Sequence, residues 1–248
     1  RADYGLAWSL YRSGKYDQAI TSINAFVKQY PNSKLKNGLD YLKGNCYLKK
    51  KDHPKAESLF QAVIDQHPGT EHARQAQYKM AISLIEHDQG AAAREILIPM
   101  TRVKPANATT GDATFLLATL HMDAQEYAEA ALQFLRVVEQ YPNSEFHVES
   151  LYKLGESYAL TGDLKQSALT FEQFARENAD HTLALEAVFH SADAYFQQKN
   201  YEQALVRFEH VARDAKQSRF REEAMYRMAI SYYNLKNFTA GKDAFNSL

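Results

Sequence analysis

The side chains with the most reactive potential in this sequence are one thiol, Cys46, and nine imidazoles at positions 53, 67, 72, 87, 121, 147, 181, 190 and 210. A thiol reacts as its thiolate and needs a base or cation beside it. Cys46 instead shares a recurring helical position with Ser9, Ser83, Leu120, Ser157, Ala194 and Ser231, a place for a small packing residue. No two histidines stand four residues apart, as a helical metal site requires, and no second cysteine accompanies them. His53 and His121 stand where aromatic or apolar residues recur, so packing accounts for them better than ligation. The ten glycines form no phosphate-cradling loop. The expectation is a chain with no catalytic centre, metal or cofactor.

Binding chemistry is better represented. An aromatic recurs every 37 residues at Tyr4, Tyr41, Tyr78, Phe115, Tyr152, Phe189 and Tyr226. Four residues beyond each stand Trp8, Asn45, Ile82, Thr119, Glu156, Asp193 and Ile230, which share its side of a helix but differ in chemistry. Three residues before the later aromatics stand Asp112, Glu149, Glu186 and Glu223. An acidic face of this kind selects a basic segment with strong salt dependence. Two other roles stay open: the aromatics can stack successive helices, and the acids can simply complement helix N-termini.

The elements that carry these residues are helices. Three after each aromatic comes a small residue (Ala7, Gly44, Ala81, Ala118, Gly155, Ala192, Ala229), and offsets of three and four are helical. This is helix A of each unit. A second run of the same period forms helix B. It carries a small column, Ala19, Ala56, Ala93, Ala130, Ser167, Ala204 and Gly241, and a large one, Ile23, Phe60, Leu97, Phe134, Phe171, Phe208 and Phe245. The turns Ser13-Gly14-Lys15 and Thr161-Gly162-Asp163 can close helix A. Pro31, Pro68, Pro105 and Pro142 stop helix B, because proline disfavours helical geometry in the residue before it. Two residues later Ser33, Thr70, Asn107, Ser144, His181 and Ser218 are placed to cap the next helix A. Helix A is apolar over more than half its circumference and needs two neighbours, its own helix B and the adjacent unit.

This alternation resembles the tetratricopeptide repeat family over essentially the whole chain, on the small, aromatic, Ala, Phe and Pro columns just given. The resemblance implies an all-α, right-handed α-solenoid of about seven helix-turn-helix units, near 1–33, 34–70, 71–107, 108–144, 145–181, 182–218 and 219–248. The common family unit has 34 residues. The three extra residues here fall between the proline and the aromatic, where they can lengthen helix A by nearly one turn. With the ending Tyr141-Pro142-Asn143-Ser144, the unit is similar to those of bacterial cell-envelope repeat proteins of the Tol–Pal-associated and outer-membrane assembly lipoprotein type. The family binds peptides in a groove lined by helix A. Carried onto this chain, that implies a protein-binding face at Tyr4, Trp8, Tyr41, Asn45, Tyr78, Glu149, Tyr152, Glu156, Glu186, Asp193 and Tyr226. Chaperone-binding members use a Lys/Asn/Arg clamp for a terminal carboxylate. Tyr4 occupies the clamp-lysine place and only Asn45 matches a clamp residue type, so that role does not fit.

Composition agrees with a non-catalytic interaction scaffold. The 248 residues are 45% hydrophobic and 24% charged with net charge −1, as in a folded protein, and near-neutral charge argues against nucleic acid as partner. No apolar stretch reaches the roughly 18 residues of a membrane span. The chain starts at Arg1 and stops inside helix B of its seventh unit, so a segment of a longer repeat protein is expected. Its setting is expected to be bacterial envelope assembly or secretion in the periplasm. A cytoplasmic adaptor in regulation or motility is the alternative, as is an array that associates head to tail through its ends.

Overall fold

The computed structural model of the chain describes residues 2–103, 108–214 and 219–247. Among these residues all regular structure is α-helical, in seven A/B pairs: α1 (Ala2–Arg12) and α2 (Tyr16–Gln29), α3 (Lys36–Lys49) and α4 (His53–Gln66), α5 (Glu71–Glu86) and α6 (Gly90–Met100), α7 (Ala108–Asp123) and α8 (Tyr127–Gln140), α9 (His147–Thr161) and α10 (Leu164–Glu177), α11 (Ala184–Gln197) and α12 (Tyr201–Asp214), α13 (Arg219–Asn234) and α14 (Phe238–Asn246). The packing divides into two compact units, Arg1–Thr114 and Phe115–Leu248, with the division inside α7.

Each A helix is closed by one residue in left-handed backbone geometry, again every 37 residues: Gly14, Lys51, Asp88, Gln125, Gly162, Lys199 and Lys236, with φ between 56° and 80°. Only two are glycines; the other five accept a conformation that L-residues disfavour. In return the helix end is satisfied. Asp52 donates its backbone N–H to the Tyr47 carbonyl at 2.9 Å, Glu126 to His121 at 2.8 Å and Asn200 to Tyr195 at 2.9 Å, the long bond of a Schellman ending.

The B helices end at Tyr30, His67 and Tyr141, each before proline, with ψ of 63°, 57° and 59°, outside the helical range. Pro105, Asn107 and Ser218 lie outside the described residues. The expected early start of helix A does not hold generally. Thr70 does cap α5, accepting from the Ala73 N–H at 3.2 Å. Ser33, Ser144 and His181 do not cap. Their side chains accept from Leu35, Phe146 and Leu183, two residues on, at 3.1–3.2 Å. Their carbonyls accept from Lys36, His147 and Ala184. Serine here closes a separate short turn, the alternative use of a hydroxyl that competes with capping. At those three junctions the additional residues build this turn and helix A begins after it. In α7, Thr110 and Gly111 stand within the first turn of the helix.

In the first unit, Ala19, Ala56 and Ala93 have no exposed surface, and Phe60 and Leu97 are fully enclosed. One core joins Ala7, Ile23, Phe26, Leu39 and Leu42; another joins Leu48, Ala56, Phe60, Val63 and Ala76. In the second unit, Ala130 and Ala204 are fully buried, and Phe134, Phe171 and Phe208 are at most 2% exposed. Each ring is held between its own A helix and the A helix that follows: Phe134 clusters with Ala118 and Leu154, and Phe208 with Ala192 and Ala224. Phe245 departs from its column and is half-exposed against Tyr226.

Candidate protein-binding faces of the A helices

Among the described residues no group of three or more His, Cys, Asp or Glu is arranged to hold a metal ion. Cys46 is fully buried, and burial pushes its thiol up to about 11, away from the reactive thiolate. A polar cluster outside the expected positions lies between α4 and the end of α5. Ser83 Oγ lies 3.1 Å from His53 Nδ1 and donates to Glu57 Oε1 at 3.1 Å, while the rings of His53 and His87 stack at 5.3 Å. The residue types match a hydrolytic triad but the order does not. The serine stands between histidine and carboxylate, and its hydroxyl has no exposed surface, so no substrate carbonyl can reach it. The cluster is a buried polar bridge joining α4 to α5.

In the first unit the accessible part of the expected binding face is aromatic. Tyr4 and Trp8 are half-buried, with ring centroids 6.4 Å apart, and Trp8 meets Tyr11 edge-on at 6.1 Å. Tyr41 is half-buried against Phe60 at 5.9 Å, and its hydroxyl pKa is raised by that burial. Two expected positions are turned inward. Asn45 is 6% exposed and donates Nδ2 to the Tyr41 carbonyl of its own helix, and Tyr78 is 8% exposed.

The second unit repeats this burial. Tyr152 is 7% exposed and meets Phe171 and Phe174 edge-on at 5.3 and 5.2 Å. Phe115 stacks flat on Phe146 at 4.3 Å. The aromatic column therefore mainly packs helix A against its neighbours; Tyr226, about half exposed, is its open member here. The accessible chemistry is carried by the acids. Glu149 and Glu223 are exposed, and Glu156, Glu186 and Asp193 are half-buried. Glu186 pairs with His190 at 3.5 Å, and Glu156 has Lys153 at 3.9 Å. Asp193 accepts from Arg227 of α13 and from Gln197 at 2.7 Å, and Glu223 accepts from Arg227 Nε at 2.6 Å.

Burial raises the Glu156 carboxyl above the usual carboxylate range, against the pull of Lys153 and His190 and with the help of Glu186 and Glu149. Glu156 borders two cavities. One, about 270 Å³, lies among α9, α10 and α11, with Met122, Ala159, Leu160, Leu164 and Phe171 as apolar lining and Glu156, His190, Asp193 and Gln197 as polar groups. The other, about 440 Å³, lies toward the start of α9, with Glu145, Glu149, Lys153, Tyr152 and His181. Apolar surface with a few convergent polar groups is the usual make-up of a ligand site. The residues at these cavities and seams that sequence reasoning missed are the basic side chains Lys153, His190 and Arg227, one position after the aromatic, and the apolar lining Leu160 and Leu164. The basic residues had a signal, since they recur every 37 residues. The two leucines had none, because the sequence does not show which apolar residues the neighbouring helices leave uncovered.

Known proteins place this architecture. Two family models, both described as tetratricopeptide repeat, match the chain: one at residues 4–71, 78–145, 115–182 and 152–219, the other at 223–248. The outer membrane protein assembly factor BamD of Xylella fastidiosa is 26% identical over 177 residues. That match covers 63% of this chain and 52% of the relative, so the chain spans about half the relative's length. Among solved structures, the C-terminal part of a repeat-containing protein from Cytophaga hutchinsonii superposes with a TM-score of 0.75 at 13% identity, over 98% of this chain and 93% of that one. A tetratricopeptide repeat protein from Parabacteroides merdae gives a TM-score of 0.63 at 14% identity, over 100% and 92%. With family models matched over most of residues 4–248 and fourteen helices in A/B pairs among the described residues, the chain belongs to the tetratricopeptide repeat family.

Proposed function

We propose that the chain is a non-catalytic scaffold that binds a segment of another protein on the exposed faces of its A helices, in assembly or secretion at a bacterial cell envelope. The tetratricopeptide fold supports a protein–protein interaction role. The observation that carries the choice of surface is the pair of cavities along α9, apolar inside and acidic at the edge, on helices otherwise well packed. A rigid, preformed site lowers the ordering cost of binding an extended segment. The envelope setting rests on the likeness to an outer membrane protein assembly factor. No helix among the described residues is long and apolar enough to cross a membrane.

A photo-reactive benzoylphenylalanine tests the surface. Placed at Leu160 on α9 it captures the partner, and placed at Leu132 on α8, which is more exposed, it does not. Equal capture from both, or none from Leu160, removes the assignment.

A further inference from the structure

Two neighbouring A-helix seams of the second unit carry equivalent positions with different chemistry, and one serves as a template for the other. Between α11 and α13, Arg227 donates to Asp193 across the seam and to Glu223 on its own helix, with its guanidinium 5.5 Å from the Phe196 ring. Thirty-seven residues earlier the corresponding positions are His190, Glu156, Glu186 and Ala159. Histidine is too short to repeat the arginine's reach. His190 stays beside Glu186 at 3.5 Å and makes no hydrogen bond to Glu156 among the described residues. Alanine in place of phenylalanine leaves room, and the seam opens into the 270 Å³ cavity.

We propose that this cavity receives an arginine side chain from a protein partner, with the guanidinium on Glu156 and the methylene stem along Ala159 and Leu160, the intermolecular counterpart of Arg227. The inference rests on the reading that the A-helix faces bind a protein segment. Charge complementarity favours the occupant, because two carboxyl side chains, Glu156 and Asp193, border the cavity beside one imidazole, His190. Arginine suits the site better than lysine because its planar fork binds a carboxylate with two parallel hydrogen bonds and its weaker hydration suits a partly apolar pocket.

Fluorescein-labelled peptides of otherwise neutral sequence, carrying one leucine and either arginine, lysine or citrulline, test the proposal by anisotropy against the full chain. The arginine peptide binds roughly tenfold or more tightly than the citrulline peptide, as a charge-assisted hydrogen bond requires. Glu156→Gln removes that preference. His190→Arg supplies the internal arginine, fills the cavity and abolishes binding, with a melting temperature at or above that of the wild type. Equal affinity for arginine and citrulline peptides overturns the proposal, as does unchanged binding to folded His190→Arg. A dimer in the wild type that His190→Arg dissolves also overturns it, by making a second copy the occupant. Capture through benzoylphenylalanine at Leu160 that persists in His190→Arg sinks only the arginine site; loss of capture from Leu160 in the wild-type background sinks the wider reading as well.

Discussion

Gly155 on α9 lies against Phe171 on α10 so closely that a Cβ atom at Gly155 would stand 3.0 Å from the ring. At Gly44 the same contact, with Phe60, would be 2.7 Å. Both rings are buried and held from the other side by the next A helix, so they have little room to retreat. The small column is thus a steric consequence of the large one. Gly44→Ala and Gly155→Ala are each expected to cost about 1–3 kcal/mol by overpacking, outweighing the gain in helix propensity. Urea denaturation measures this directly, and a stabilised Gly44→Ala would show that Phe60 can move.

The left-handed closing turn gives the opposite expectation. Lys51 and Gln125 adopt φ of 58° and 61°, where Gly14 and Gly162 sit in equivalent turns. Lys51→Gly and Gln125→Gly each relieve a conformational cost of roughly 1–2 kcal/mol, part of which is returned as chain entropy in the unfolded state. A net gain of about 0.5–1 kcal/mol is expected for each, read as a higher denaturation midpoint. Gly162→Ala should lose a similar amount.

Glu156 links the candidate site to pH. Its folded-state pKa is raised, chiefly by burial, so the folded chain favours the protonated acid more than the unfolded chain does. Stability falls as pH rises from the unfolded carboxylate range through the folded value, and the penalty is fully present above that value. Glu156→Gln removes a charge from that site and is expected to raise the melting temperature at pH 7. The gain should shrink as pH falls into the range where glutamate protonates. A gain that grows with acidity would mean that Glu156 is held by a favourable ion pair.

Most of the architecture was legible because each structural demand recurs every 37 residues. Ala56, Phe60 and Ala130, Phe134 meet the same neighbours in successive units, so the same residue types return. The start of helix A was less legible. Ser33 and Ser144 have the right chemistry for a cap, but the same hydroxyl also satisfies an N–H two residues on, and the local sequence does not distinguish the two. Of the expected positions, the acids Glu156 and Asp193 keep accessible surface, whereas Asn45 and Tyr152 are buried. Sharing one side of a helix does not make a residue accessible when a second helix covers that side. The role of Arg227 needs spatial knowledge, because its partner Asp193 is 34 residues away.

Cys46 provides a probe of the packing that is independent of any partner. Its side chain is fully buried beside Ala19 and Ile20, and its thiol is pushed up to about 11. At pH 8 the thiolate fraction is lower by about two orders of magnitude than for an ordinary cysteine, and the reagent cannot reach the sulfur without opening of α2 from α3. Labelling with a chromogenic disulfide is therefore expected to be slow in the native chain and to accelerate in step with urea until it matches a free thiol. Because α2 and α3 belong to successive repeats, the protection reports the contact between them and not the folding of a single helix pair. Gly44→Ala, which strains the neighbouring α3–α4 contact, should speed labelling in the absence of urea, whereas Gln125→Gly, in the α7–α8 turn, should leave it unchanged or slower. Labelling of the native chain within the mixing time would mean that α2 and α3 separate freely, and would contradict the tight packing of Ala19, Ile20 and Cys46.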